Sequence, residues 1–142
     1  MAQFLPAWEL TSVNEGFYSN NPNDPGLRTY MGISQVHFPI CPIWPLIMNW
    51  ILQHGEPANN HRFTDIPGLD ELVEQFYITN FWNSIQGDDI INQDTANTLF
   101  DSSVNLGIHE AIVLTQRALS ITETGHMDQT TLDSLNIANL YA

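Results

Sequence analysis

Residues 14–34, NEGFYSNNPNDPGLRTYMGIS, hold two carboxyl groups and a hydroxyl at a spacing that suits hydrolysis: Glu15, Asp24 nine residues on, and Thr29 five further. Breaking a glycosidic bond needs a proton for the departing sugar oxygen and stabilisation of an oxocarbenium-like centre. Two carboxyl groups of opposite protonation commonly supply both. Glu15 closes a predicted helix, where the negative end of the macrodipole and neighbours such as Trp8, Phe17 or Tyr18 disfavour its anion. Asp24 stands between Asn23 and Pro25 in a turn-forming run, open to water and backbone amides that hold it charged. Thr29 offers a hydroxyl to help Asp24 orient an attacking water, while Tyr18, Arg28 and Tyr30 are candidates to line a groove for sugar rings. Each residue also has a plainer reading. A lone Glu at a helix end is usually just solvated, Asn-Asp-Pro-Gly is a common turn, and a structural Asx turn explains Asp24 equally well. The combination is what points to chemistry.

The surrounding pattern must position these groups. Phe4, Leu5 and Trp8 recur at helical spacing with Pro6 in a first turn, predicting a helix over 5–14 that Gly16 helps to stop. RTYMGIS reads as a short strand, so 17–34 is expected to form a small hairpin on a helical body. LIMNWILQ, following Pro42 and Pro45, is apolar nearly all round and predicts a buried helix ended by Gly55. Asp65 is expected to cap a helix whose stripe of Leu69, Leu72, Val73, Phe76, Tyr77 and Phe81 runs on to Trp82; these aromatic residues read as core before sugar platform. Asn92 or Asp94 opens another helix, with Ala96, Leu99, Phe100 and Val104 inward and Gly107 at its end. Ile108 to Leu119 patterns a further helix, and Asp128 caps a last one carrying Leu132 and Leu135. The fold class is therefore mainly α (α+β), a helical domain with a small β-hairpin carrying the loop of interest.

Composition narrows the partners. At 142 residues and 43% hydrophobic, the chain closes one good core, so a single domain over 1–142 is expected. Arg28, Arg62 and Arg117 are the only strong cations against a net charge of -13, which excludes nucleic acid, whose phosphates need basic side chains. The same charge gives no long-range attraction to an anionic surface, so contact with such a surface would have to come from a groove. Cys41 is alone, ruling out an internal disulfide. The five His show no metal spacing, so neither a metal nor another cofactor is expected. MAQFLPAWEL lacks the basic flank and apolar core of a secretory signal, and Pro and Asn49 interrupt the apolar run of 40–52, so no signal peptide and no stable membrane insertion are expected. The sequence specifies no oligomeric state.

The Glu15, Asp24, Thr29 spacing resembles the catalytic triad of phage-type lysozymes. More specifically, residues 15–34 are similar to the Glu-Gly-Gly-Tyr, Asn-Asp-Pro-Gly-Gly-x-Thr, Gly-Ile-Thr signature of the N-acetylmuramidases of glycoside hydrolase family 108. EQFYITNFWNSI resembles that family's Tyr-x-x-x-Tyr-Trp helix, with Tyr77 and Trp82 kept and Phe81 for the second Tyr. Residues 101–135 resemble its C-terminal predicted peptidoglycan-binding segment, with Asp101, Asn105, Gly107, Gln116, Leu119, Gly125, Thr131 and Leu132 in pattern. Phe17 and Leu27 stand where the family has Gly, and 36–64 matches it least.

The resemblance implies a lysozyme-like fold, with 1–90 catalytic and 91–142 a C-terminal helical part. It also implies a peptidoglycan hydrolase cleaving the β-1,4 bond between N-acetylmuramic acid and N-acetylglucosamine. Glu15 would be the general acid, Asp24 the base or electrostatic stabiliser, and Thr29 the residue that orients water; peptidoglycan glycan strands would be the partner. A phage lysis protein, made in the cytoplasm and acting at the wall after release, or a virion-borne enzyme, fits. A non-catalytic wall-binding or virion structural protein and a lytic transglycosylase are the alternatives.

Overall fold

The computed structural model describes residues 1–20, 23 and 28–139. Among them are six α-helices and one three-stranded antiparallel sheet, the mainly α, lysozyme-like α+β arrangement expected from the sequence. They belong to two compact units, one of Met1–Thr11 with Tyr77–Ala142, the other Ser12–Phe76.

The first unit is built on aromatic packing. Helix α1, Phe4–Ser12, buries Phe4, Ala7, Trp8 and Thr11. Phe4 meets Trp82 edge-on at 5.8 Å and Phe100 at 5.6 Å, and Trp8 lies 4.5 Å from Tyr77. Helix α3, Leu69–Tyr77, belongs to the second unit except for Tyr77, and the chain continues into a π-helical turn, Ile78–Trp82. Five residues of an α-helix would turn Trp82 away from Tyr77; the wider π turn returns it to the same side, and both rings are buried. Below Trp82, a short 3₁₀ turn, Gly87–Asp89, lets Asp88 accept the indole N–H at 2.8 Å.

Helix α4, Gln93–Leu106, is capped by Asn92, which accepts from Thr95 N, and ends at Gly107 with φ 91°. It buries Ser103 where the pattern expects Val104: Val104 is only half-buried, and the Ser103 hydroxyl is satisfied by the Phe100 carbonyl at 2.7 Å. Helix α5, Ile108–Ala118, follows at once. Asp128 caps α6, Gln129–Ala138, accepting from Thr131 N at 2.8 Å.

The second unit carries the sheet and α2. Strands β1, Ser19–Asn20, β2, Arg28–Tyr30, and β3, Ile33–Ser34, run antiparallel in the order β1-β2-β3. RTYMGIS is thus two strands and not one. Met31 (φ 47°) and Gly32 (φ 81°) are both left-handed, the backbone that a tight two-residue hairpin turn requires. Helix α2, Ile43–His54, starts earlier than the pattern suggests, because Pro45 fits in a first turn whose N–H groups have no acceptor within the helix. It is buried on one side only: Ile43, Trp44 and Ile47 face in, while Leu52 is exposed.

Asp65 does not cap α3, which begins four residues later; its carboxylate accepts the Trp50 indole N–H at 3.0 Å from each oxygen. Among the described residues no helix is long and apolar enough to cross a membrane.

Glycine is required at residue 87 for space. A Cβ there would stand 2.2 Å from Trp82 Cε2. Gly87→Ala is expected to destabilise by about 1–3 kcal/mol through overpacking. Gly68→Ala, with φ 80° and open space around the Cβ, should lose only the backbone term of about 1 kcal/mol. Urea unfolding of both variants checks the difference.

Candidate active site

Helix α1 ends at Ser12, and Glu15 lies three residues beyond it in a turn whose amide returns to the Ser12 carbonyl at 3.1 Å. The side chain is half-buried. Gly16, at φ 71°, takes the left-handed conformation that turns the chain from Glu15 into the hairpin. Phe17 is not among the left-handed residues, so the side chain that replaces the family's second Gly carries no such strain; the Arg62 guanidinium lies over its ring at 5.5 Å.

The β1–β2 register pairs Ser19 with Thr29 and Asn20 with Arg28. Thr29 Oγ1 donates to Ser19 Oγ at 3.2 Å and remains half-exposed. Ser19 is four residues after Glu15, so chain geometry limits their Cα separation to about 14 Å. Asp24 and Leu27 lie outside the described residues.

The residues expected to line a groove are placed differently. Tyr18 and Tyr30 are fully buried and offer no ring face to a ligand. Tyr18 points its hydroxyl to the Glu56 carboxylate and accepts from Arg28 Nε at 3.1 Å. Tyr30 accepts from Phe63 N at 3.3 Å. Arg28 also pairs with Glu56 at 3.4 Å, and Asn20 Nδ2 donates to Glu56 Oε1 at 2.8 Å. The cause is apolar: both phenol rings pack against Phe63, so only their hydroxyl ends reach polar partners.

Glu56 has no signal in the motif. It follows Gly55, whose φ of 87° releases the chain from α2, in the stretch least like the family. Burial alone would raise its carboxyl, but hydrogen bonds from Tyr18 and Asn20 and the charge of Arg28 hold it below the usual carboxylate value. Burial, followed by the hydrogen bond to Glu56, pushes the Tyr18 phenol up to about 12. Burial also raises Tyr30.

The segment resembling a wall-binding region has internal roles. Gln116 is buried, accepts from Gly125 N at 3.0 Å, and has its amide nitrogen 2.8 Å from Thr124 Oγ1 and 2.9 Å from Thr131 Oγ1. Asp101 accepts from Thr11 and Asn105. Beside this cluster lies a hollow of about 450 Å³ lined by Ser120, Thr122, Thr124 and Thr130, whose one carboxylate, Asp128, is taken up in capping α6. Among the described residues no group of three or more His, Cys, Asp or Glu could hold a metal ion.

Six helices and one small antiparallel sheet make a mainly α, lysozyme-like α+β fold. The profile of glycosyl hydrolase 108 matches residues 8–107, and the chain belongs to that family. It is by family a glycoside hydrolase, and membership supports peptidoglycan as the substrate. Among solved structures the chain is similar to SagA of Brucella abortus, with 21% identity and a TM-score of 0.61 over 94% of this chain and 68% of that one, a likeness of fold. No curated protein matches the sequence.

The Tyr18 shift makes a directional prediction. A phenol bound more tightly to its proton when folded stabilises the fold fully below the unfolded value near 10, and that contribution is lost as pH rises through the folded value of about 12. An ultraviolet phenolate titration should contain a late component near 12 that Tyr18→Phe removes. Wild-type stability should fall more steeply than that of Tyr18→Phe between these two values.

Proposed function

We propose that the protein is an N-acetylmuramidase that hydrolyses the β-1,4 bond between N-acetylmuramic acid and N-acetylglucosamine. Glu15 protonates the glycosidic oxygen as it leaves. Asp24 takes the proton of the attacking water or stabilises the positive ring, and Thr29 orients that water. The observation that carries this reading is the strand register: Thr29 is paired across from Ser19, close in the chain to Glu15, inside the span matched by the glycosyl hydrolase family. Should Asp24 activate water from the opposite ring face, the anomeric centre inverts, with carboxyl groups roughly 6.5–9.5 Å apart. Action at the bacterial wall, after release from the cell or from a virion, completes the proposal.

A folded, non-catalytic wall-binding protein is the competing reading, and its main support is the bulk of Phe17 and Leu27 in place of Gly. The unstrained backbone at Phe17 weakens that support. Purified sacculi should clear with wild type, and Glu15→Gln should lower the rate by roughly 100- to 10,000-fold without loss of fold. Equal clearing by both proteins rejects Glu15 as the acid. Mass spectrometry should find reducing muramic ends; 1,6-anhydromuramic ends would mean a transglycosylase that uses no water.

A further inference from the structure

Glu56 contacts the hairpin on both sides of the Ser19–Thr29 pair. Its Oε1 accepts from the Tyr18 hydroxyl and from Asn20 Nδ2, and its Oε2 faces Arg28 Nη2. Tyr18 and Asn20 flank Ser19; Arg28 precedes Thr29. Among the described residues two register pairs join β1 to β2, and so short a ladder gains from side-chain ties that hold its register.

The segment bearing Glu56 is anchored along the same edge. Tyr18 N donates to the His61 carbonyl at 3.1 Å, Asn60 N to the Tyr18 carbonyl at 2.6 Å, and Asn20 N to Asn59 Oδ1 at 3.4 Å. The Arg28–Glu56 pair is partly exposed, with side-chain exposures of 24% and 40%, so its attraction alone does little. What distinguishes Glu56 is that donors from three hairpin residues meet on one carboxylate.

We propose that Glu56 is a positioning residue for the hydrolytic step: by tying together Tyr18, Asn20 and Arg28 it holds the hydroxyl of Thr29 where it directs the attacking water. The role rests on the muramidase reading of Thr29. It also gives Tyr18 and Arg28 a function other than touching sugar, since the phenol is buried and the guanidinium is committed to Glu56 and Tyr18.

A double-mutant cycle of Glu56→Ala and Thr29→Ala, assayed on peptidoglycan, tests this. Glu56→Ala should lower kcat on the order of tenfold, with KM changed by less than about twofold. In the Thr29→Ala background, removing Glu56 should have no further effect, because the two act as one unit. Glu56→Gln, which keeps an oxygen for Tyr18 and Asn20, should recover part of the rate. If Glu56→Ala does not fold, the cycle with Glu56→Gln should show the same non-additivity at smaller amplitude. Amide hydrogen exchange should quicken at residues 18–20 and 28–30 of the variant and not in α4. Additive effects, a change confined to KM, or wild-type kcat in a folded variant would overturn the positioning role alone. Wild-type rates in Glu15→Gln, or an inactive wild type, would overturn the muramidase reading and this role with it.

Discussion

The hairpin depends on a ring that lies outside it. Strands of two and three residues cannot stand alone in water, and β1 and β2 are of that size. Phe63, 2% exposed, supplies the missing apolar face: its ring lies 5.6 Å from Tyr18, 5.3 Å from Tyr30 and 5.0 Å from Trp50 of α2. Each aromatic pair adds roughly 0.5–1.5 kcal/mol beyond its buried area. Its backbone N–H also goes to the Tyr30 hydroxyl. Without that anchor the two tyrosines would lose the ring that both pack against, and the Ser19–Thr29 register would lose support.

This constraint divides the hairpin's polar chemistry. Once both phenols turn inward, their hydroxyl groups need acceptors or donors at the edge of the core, and Glu56, Arg28 and the Phe63 amide meet that need. The side chains left partly open on this stretch include Glu15 and Thr29, two of the three the proposed reaction uses. Residues that look like a sugar platform in sequence are therefore the support, and smaller residues beside them are available for chemistry.

How much of this is legible in the sequence follows from how local each signal is. Asn92, Gly107 and Asp128 mark their helix ends because capping depends on a few neighbouring residues, and the spacing of Phe4, Leu5 and Trp8 places α1 within two residues at each end. The motif around Glu15 is legible for the same reason. Asp65 misleads because its position before Pro67 imitates a cap, while its real partner, Trp50, is 15 residues away. The π turn is hidden because its only sign is the joint burial of Tyr77 and Trp82, a tertiary fact. Glu56 is invisible on both counts: it lies 38 residues from Tyr18, and a single Glu after a helix-ending Gly looks like solvated surface. For Gln116, a polar residue on the inner face of α5, the pattern supplies a position in the family and no hint of the polar partners that gather around its amide.

The charge balance sharpens what kind of enzyme this can be. With a net charge of -13 and three arginines, each of those cations already has a local partner, Arg28 with Glu56, Arg117 with Glu123, and Arg62 over Phe17. None forms part of a basic patch that would gather an anionic polymer from a distance. Recognition of a glycan must then act at contact range, inside the roughly 8 Å over which charges are felt at physiological salt. Neutral hydrogen bonds and sugar-ring packing are the forces left at that range, and they reward a groove whose walls do not move. A carboxylate committed to holding a short hairpin still, when the chain is already over-supplied with negative charge, is consistent with that demand.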